Sequence, residues 1–207
     1  MGQLGFYFNS AACTGCKACQ VACQDKNDLP QDVLWRHVYT YGGGAWVPQA
    51  NGVMAPKGVF AYAMSIACMH CQDAACTQVC PAGAMQKQDN GLVVINQDAC
   101  IGCRYCEWAC PYGAPQFRED LGVMSKCTGC ADLVASGLKP ACVDACVMRA
   151  LDFGDIEELK AKYGAINAVE PLPDGGYTQP SIVITPNPNA QLAGQGTGMI
   201  LMLEEEL

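Results

Sequence analysis

The sequence predicts an α+β fold made of two small cysteine-rich modules, the central one inserted within the outer one, with β-hairpins and an extended C-terminal tail. Three observations lead to this prediction. All 16 cysteines of the 207 residues fall into four quartets with related spacing. Runs of β-branched and aromatic residues flank the quartets, and a hairpin signal separates the two middle ones. Because cysteines inflate the apolar content of 51%, the aliphatic core is modest, and a small core usually depends on metal or covalent links.

The first and third quartets have the spacing of bacterial ferredoxins, which the second repeats with two extra residues and the fourth with a longer insert. The quartets are Cys13, Cys16, Cys19 and Cys23; Cys68, Cys71, Cys76 and Cys80; Cys100, Cys103, Cys106 and Cys110; and Cys127, Cys130, Cys142 and Cys146. In the third quartet, three cysteines stand at three-residue steps, and the fourth follows four residues later, directly before Pro111. In bacterial ferredoxins the fourth thiolate of such a run binds the other cluster of a pair. The sequence therefore predicts four [4Fe–4S] clusters in two bacterial-ferredoxin-like 2[4Fe–4S] modules.

Exchange of the fourth cysteines predicts which thiolates share a cluster. The two middle quartets are close in sequence and form one module, and the two outer quartets pair if that module is an insertion between them. The predicted ligand sets are Cys13, Cys16, Cys19 and Cys146 for cluster 1; Cys68, Cys71, Cys76 and Cys110 for cluster 2; Cys100, Cys103, Cys106 and Cys80 for cluster 3; and Cys127, Cys130, Cys142 and Cys23 for cluster 4. A structure in which quartets one and two shared clusters would contradict this arrangement.

Strand and turn signals agree with these modules. A predicted strand at residues 5–8 leads into the first quartet. Residues 33–41 form another, which the glycines at 42–44 end, and residues 58–66 pair with it antiparallel. The turn Asp89-Asn90-Gly91 predicts a hairpin within residues 84–95. Trp35, Tyr39, Trp46 and Tyr62 are predicted to pack as ordinary core aromatics that cover the clusters.

The remainder closes the outer module and then becomes irregular. Residues 150–153 form a predicted strand, and the capping box Asp155-Ile-Glu-Glu158 opens a helix that Gly164 ends. The predicted units are an outer module at 1–58 and 117–165, an inner module at 59–116 and an extended tail at 166–207. Residues 181–185 are the only strand candidate in the tail, which wraps the protein itself or a partner.

Two other uses of the cysteines compete with iron and sulfur. Pairs of Cys-x-x-Cys also bind zinc, which would make the chain a zinc-stabilised interaction module. However, three cysteines within seven residues leave the middle thiolate without a tetrahedral role. A disulfide framework suits short secreted domains, and no signal peptide precedes Cys13. The repeated spacing therefore favours iron–sulfur clusters over both.

Charge and composition exclude several functions. The formal net charge is −8, and clusters held by thiolates add negative charge, so nucleic acid is not an expected partner. No apolar run is long enough to span a bilayer, so any membrane association is expected to require another subunit. The N-terminus lacks a twin-arginine pair, so no export signal is expected in this sequence. No nucleophile–base pair, phosphate loop or dinucleotide fingerprint is present. We therefore expect no catalytic residues and a role in electron transfer.

Five charged or titratable residues stand beside the cysteines. They are Lys17, His70, Arg104, Lys126 and Arg149. Each cation either raises the reduction potential of a cluster, pairs with a carboxylate at a subunit interface or is a solvated surface charge. His70 either donates a hydrogen bond near a cluster or faces a partner, and it is not an expected iron ligand because the cysteine sets are complete.

Nearly the whole sequence resembles one family. The supporting stretches are Cys13-Thr-Gly-Cys16-Lys-Ala-Cys19, Cys76-Thr-Gln-Val-Cys80-Pro-Ala-Gly-Ala-Met85, Cys100-Ile-Gly-Cys103-Arg-Tyr-Cys106 and Arg149-Ala-Leu-Asp-Phe-Gly154. They resemble the electron-transfer iron–sulfur subunit (B subunit) of dimethyl sulfoxide reductase-like membrane-bound molybdopterin oxidoreductases. Nitrate reductase relatives replace the residue equivalent to Cys103 by tryptophan and hold three irons there, so Cys103 implies a complete four-iron cluster.

The resemblance implies partners and a location. The partners are a molybdopterin-containing catalytic subunit and a quinol-oxidising membrane anchor, with the outer module facing the former and the inner module the latter. The protein would be peripheral on the membrane through these partners. It would lie at the extracytoplasmic face, after export together with a catalytic subunit that carries the signal, and this face is preferred to the cytoplasmic one. The same subunit type serves formate dehydrogenases, and a polyferredoxin subunit of a hydrogenase is a further alternative.

Overall fold

A computed structural model describes residues 2–201 of the chain, which fold into short helices and four small sheets. The helices are α1 (Ala18–Lys26), α2 (Ala75–Gln78), α3 (Tyr105–Ala109), α4 (Ala131–Ala135), α5 (Ala141–Asp144) and α6 (Ile156–Tyr163), with one 3-10 turn at Gln97–Ala99. The strands are β1 (Leu4–Asn9), β2 (Arg36–Pro48), β3 (Met54–Ala67), β4 (Met85–Lys87), β5 (Val93–Ile95), β6 (Gln116–Arg118), β7 (Val123–Ser125), β8 (Leu151–Asp155), β9 (Ile182–Thr185) and β10 (Met199–Leu201). This mixture of helices and strands confirms the α+β class.

The first sheet joins the two ends of the chain. Strand β1 is central, with β8 antiparallel on one side and β9 parallel on the other. Since β1 enters the first quartet and β8 leaves the fourth, their pairing brings these distant quartets to the same edge. The strands predicted at 5–8, 150–153 and 181–185 are confirmed within one or two residues.

Both faces of the first sheet are covered. Phe6 and Phe8 point from β1 into the main core, where they meet cysteines of the first and fourth quartets. Tyr7 points the other way and packs with Ile156 and Leu159 of α6. That helix begins as predicted, because the Asp155 carboxylate accepts hydrogen bonds from two amides of its first turn, and Gly164 follows its last residue.

The second sheet is a long hairpin of β2 and β3 with β10 added at its edge. The prediction that glycines 42–44 end the strand is wrong, since β2 continues to Pro48. A register shift between Gly43 and Ala45, with Gly44 at φ 113°, lets the ladder bend instead of stopping. The tail also contains a second strand, β10, which pairs antiparallel with residues 40–42 of β2. Glycine at position 43 allows Gly198 to approach closely, since a Cβ there would lie 3.0 Å from the Gly198 Cα.

The outer part of this hairpin is solvent-exposed. Trp46 is 65% exposed there, so its predicted burial over a cluster is wrong. Tyr62, nearer the hairpin base, is buried and donates a hydrogen bond from its hydroxyl to the Glu170 carbonyl at 2.7 Å. The tail therefore packs on the protein itself over the part that the structure describes, and residues 202–207 lie outside that part.

Two shorter hairpins complete the fold. Strands β4 and β5 form the predicted hairpin around the turn at Asn90 and Gly91. Strands β6 and β7 pair antiparallel between the third and fourth quartets. Within residues 2–201, no helix combines the length and apolar character required to cross a bilayer.

Candidate iron–sulfur sites

The fold brings cysteines of different quartets close together, and they are described here in four groups. The groups are the Cys13 group (Cys13, Cys16, Cys19 and Cys146), the Cys68 group (Cys68, Cys71, Cys76 and Cys110), the Cys100 group (Cys80, Cys100, Cys103 and Cys106) and the Cys127 group (Cys23, Cys127, Cys130 and Cys142). In every group one member comes from another quartet and is brought there by the tertiary fold.

The Cys13 group surrounds a cavity. All four cysteines line this cavity, which Phe8, Val38 and Leu151 close from the apolar core. Burial raises the pKa of the Cys13 thiol, and the nearby Cys19 and Cys146 raise it further against an opposing hydrogen bond from the Gly15 amide. The cavity therefore presents sulfur donors from both the first and the fourth quartets.

The Cys127 group is the most deeply buried. Burial raises the pKa of the Cys23 thiol to about 12, and the proximity of Cys142 and Cys130 adds to the rise while Arg36 opposes it. Burial also raises the pKa of Cys127, with further contributions from Cys23, Cys68 and Cys142. Helices α1 and α5 supply Cys23 and Cys142, so the first and fourth quartets meet here a second time.

The inner quartets form the other two groups. Burial raises the pKa of Cys76 to about 12, with contributions from Cys68 and Cys110. Burial likewise raises the pKa of Cys106 to about 11, with contributions from Cys100 and Cys80. The remaining members, Cys71 and Cys103, lie half-buried on the same loops as their sequence neighbours.

The local backbone explains the Cys-x-Gly-Cys pattern. Gly15, Gly102 and Gly129 adopt φ values of 69°, 67° and 67°, which glycine reaches without steric cost. This left-handed residue turns the chain sharply between the two cysteines of each turn. In the second quartet the same position is His70, which is the exception among the four.

Hydrogen-bond donors point at several sulfurs. Backbone amides donate to three of them: Gly129 N to Cys127 Sγ at 3.4 Å, Ala150 N to Cys146 Sγ at 3.3 Å and Met124 N to Cys100 Sγ at 3.4 Å. The Asn27 amide nitrogen lies 3.7 Å from Cys23 Sγ, and Ser65 Oγ lies 3.4 Å from Cys19 Sγ. Donors in these positions stabilise thiolates rather than thiols.

Two buried cations stand among the groups. Arg36 is only 3% exposed and Lys126 only 2%. Burial disfavours the charge of Arg36, but the neighbouring Cys142 and Cys19 outweigh this effect and raise its pKa. Lys126 Nζ donates to the carbonyls of Val93 and Cys127. Cysteine sulfurs lie near both cations, and as thiolates they would compensate the buried positive charges.

The charged residues proposed from sequence separate into two classes. Lys126 and His70 are buried between the groups, whereas Arg104 and Arg149 are exposed. Arg104 forms an ion pair with Glu107 at 2.8 Å, so the surface-charge interpretation applies to it. Lys17 is half-buried at the start of α1.

Sequence reasoning missed Arg36 and Ser65. Both lie on the hairpin of β2 and β3, away from any cysteine motif. The alternation of buried residues along β2 could have identified Arg36, because Arg36 and the buried Val38 are two residues apart and therefore face the same side of the strand. A cation at an inward strand position requires buried negative partners.

The donor chemistry fits [4Fe–4S] clusters. Each group offers four sulfur donors, which is the complete ligand set of a cubane. Within the described range 2–201, no three His, Cys, Asp or Glu side chains are placed to hold one metal ion. A cubane differs from a single ion because it spreads its four ligands over four iron atoms.

Comparisons with known proteins agree with this chemistry. A 4Fe-4S dicluster domain family model matches residues 59–156. The sequence is 54% identical to the B subunit of anaerobic dimethyl sulfoxide reductase of Escherichia coli over 96% of each sequence, and 52% identical to that of Haemophilus influenzae over 97% of each. It is 35% identical to the formate dehydrogenase iron-sulfur subunit of Wolinella succinogenes over 76% of this sequence and 84% of that one. The protein therefore belongs to the family of 4Fe–4S electron-transfer subunits of dimethyl sulfoxide reductase-type oxidoreductases, which are not the catalytic subunits of those enzymes.

Proposed function

We propose that this protein holds four [4Fe–4S] clusters, one in each cysteine group, and relays electrons through them between two partner subunits of an anaerobic respiratory reductase. The observation that supports this most directly is the convergence of cysteines into neighbouring groups, each with one member from another quartet. The proposed ligand sets are the Cys13, Cys68, Cys100 and Cys127 groups. The clusters supply one-electron redox chemistry when bound.

The module arrangement proposed is an inner module, residues 59–116, inserted in an outer module formed by residues 1–58 and 117–165. The antiparallel pairing of β1 with β8 supports it, because this pairing joins the chain on both sides of the inner segment. The contact of Cys68 with Cys127 in one buried patch supports a direct connection between the modules. Residues 166–207 form the tail.

The protein's own residues have three tasks in this function. The first is exclusion of water, for which Phe8, Val38 and Leu151 line the Cys13 group. The second is stabilisation of thiolate charge, for which amide and hydroxyl donors point at the sulfurs. The third is compensation of the negative charge that each electron adds, for which Arg36 is buried between the Cys13 and Cys127 groups.

The partners proposed are a molybdopterin-containing catalytic subunit and a quinol-oxidising membrane anchor. The names of the relatives support this, since the B subunit of a reductase implies other subunits in the complex. The protein would then lie peripherally on the membrane through these partners, at the extracytoplasmic face. The formate dehydrogenase relative supports an alternative in which the catalytic partner oxidises formate and electrons run in the reverse direction.

Cluster number is tested by metal analysis of anaerobically purified protein. We expect about 16 irons and about 16 acid-labile sulfides per molecule, since each cubane holds four of each. Zinc without iron would overturn the proposal in favour of an interaction module. A three-iron EPR signal in fresh anaerobic protein would contradict the complete cluster expected at Cys103.

The ligand exchange is tested by serine substitution. Cys110→Ser is expected to alter the EPR signal of the same cluster as Cys71→Ser, whereas Cys80→Ser alters the signal that Cys106→Ser alters. A shared effect of Cys110→Ser and Cys106→Ser would instead place each quartet around its own cluster. Co-purification then tests the partners, because a protein that stays alone and soluble in its native cells would be a free carrier.

A further inference from the structure

His70 directly precedes the second cysteine of its quartet, a position that is glycine in the other three quartets. The residue before the second cysteine is Gly15, Gly102 or Gly129 in those quartets, always at positive φ. His70 has φ 43°, although a side chain in the left-handed region costs about 1 kcal/mol or more. A fully buried histidine retained in this conformation must make contacts that glycine cannot make.

The imidazole ring of His70 has both nitrogens engaged. Its Nδ1 accepts a hydrogen bond from the Val93 amide at 3.0 Å. An imidazole nitrogen that accepts carries no proton, so the proton of the ring is on Nε2. Nε2 lies 3.8 Å from Cys127 Sγ and therefore directs an N–H group at that sulfur.

The backbone of His70 is held as firmly as its ring. Its carbonyl accepts from Ser181 Oγ at 2.9 Å and from Gln3 Nε2 at 3.1 Å. Gly129 lies beside the ring, since a Cβ at this position would be 3.4 Å from Nε2, at van der Waals contact. Three distant segments thus fix the direction of the Nε2–H group.

The hydrogen bond crosses from one cysteine group to another. His70 lies between Cys68 and Cys71 in the sequence, yet its ring reaches Cys127, a member of the Cys127 group. Cys68 and Cys127 also pack in the same buried patch. The ring therefore stands at the step where an electron passes between the inner and outer modules.

We propose that His70 is a positioning residue that donates from Nε2 to Cys127 Sγ and raises the reduction potential of the cluster in the Cys127 group. This inference rests on the proposed function. An N–H donor to a ligating sulfur stabilises the more negative, reduced cluster, and this shifts the potential upward. The loop that binds one cluster of the relay then raises the reduction potential of the neighbouring cluster.

Two substitutions separate the functions of the ring. His70→Asn retains an acceptor at the place of Nδ1 for the Val93 amide and removes the donor at Nε2. His70→Gln retains an amide donor near the place of Nε2 and removes the acceptor. His37→Asn is the matched control, because His37 is the only other histidine of the sequence.

The test is an EPR-monitored redox titration of cluster-loaded protein with partners present. His70→Asn is expected to lower one of four potentials, with about a tenfold fall in the reduced-to-oxidised ratio at fixed potential, which corresponds to about 59 mV for one electron. His70→Gln is expected to restore part of the shift, and His37→Asn to leave all four unchanged. Four unchanged potentials in His70→Asn, or an equal shift of all four, would overturn the proposal.

A second measurement needs no substitution at His70. In wild-type protein labelled with ¹⁵N-histidine, pulsed EPR is expected to detect nitrogen coupling to one reduced cluster, which persists in His37→Asn. Absence of coupling would overturn the role of His70 even if His70→Asn failed to assemble. Iron analysis of the same wild-type sample separates the two proposals, because a full iron content without coupling contradicts only the role of His70.

Discussion

Arg36 donates a hydrogen bond from Nη1 to Ser65 Oγ at 3.0 Å, and that oxygen lies 3.4 Å from Cys19 Sγ. A guanidinium only donates, so Ser65 accepts from Arg36 and its own proton is available to the sulfur. No ion pair among residues 2–201 involves Arg36, and its charge is balanced from the cysteine side. Arg36, Ser65 and Cys19 thus form a continuous chain of polar contacts that links the guanidinium group to a sulfur of the Cys13 group.

Replacement of Arg36 by methionine is expected to lower the potentials of the clusters in the Cys13 and Cys127 groups. A buried positive charge stabilises the reduced state of each, so its loss shifts both by roughly 60 mV or more toward negative values. Arg36→Lys keeps the charge and is expected to shift them less. Redox titration followed by EPR measures these effects, and equal potentials in Arg36→Met and wild type would disprove the electrostatic role.

Replacement of Ser65 by alanine is expected to lower the reduction potential of the cluster in the Cys13 group and to lower the free energy of unfolding. Loss of the hydroxyl removes the donor to Cys19 and leaves Arg36 Nη1 buried without an acceptor, which costs about 1–3 kcal/mol. Ser125→Ala is the control, since the buried Ser125 accepts from Trp35 Nε1 at 3.1 Å and donates to the Gln116 carbonyl rather than to a sulfur. If both alanine variants lower the potential of the same cluster, the effect does not come from the Ser65 hydroxyl.

Alanine at Gly129 is expected to destabilise the Cys127 group far more than alanine at Gly137. Both positions have positive φ, 67° and 74°, and both substitutions incur a backbone strain of about 1–2 kcal/mol. Of the two, only Gly129 would bring its new Cβ into collision with a neighbour, at 2.8 Å from Leu92 Cδ2. Urea-induced loss of cluster absorbance measures the difference, and similar midpoints for the two variants would contradict the close packing of Leu92 on this turn.

Asp152→Asn is expected to weaken the fold at neutral pH but not in acid. Burial disfavours the Asp152 carboxylate charge, but bonds from Lys139 at 3.1 Å, the Phe153 amide and Tyr163 at 3.0 Å outweigh it and lower its pKa. A lowered pKa stabilises the folded state above the unfolded value of about 3.9, and this contribution disappears as pH falls through the folded value.

The free energy of unfolding of Asp152→Asn should be about 1 kcal/mol lower than that of the wild type from pH 7 to pH 5, and this difference should shrink below about pH 4. Denaturant midpoints measured at several pH values provide the test, with the exposed Asp98→Asn as control. A deficit that stayed constant into acid would mean that the carboxylate charge is not the stabilising feature.

Cysteine spacing and turn chemistry allowed much of this protein to be predicted. The strands next to the quartets, the hairpin at Asn90 and the helix capped by Asp155 have local signals and appear where the sequence places them. The continuation of β2 beyond its glycines and the addition of β10 depend on tertiary pairing, which overrides the local preference of glycine for turns. The roles of Arg36 and Ser65 depend on the approach of the β2–β3 hairpin to the first quartet, and no spacing rule encodes that approach.

The position of β1 has a consequence for biosynthesis. β1 is made before its two hydrogen-bonded neighbours, β8 and β9, which begin at Leu151 and Ile182. Domains generally fold from the N-terminus during synthesis, but β1 must wait for segments that are made much later than itself. The Cys13 group likewise lacks Cys146 until then. Assembly of the first sheet therefore cannot be completed before β9 is made, and a ribosome that stalls before Leu151 leaves both β1 and the first quartet without their partners.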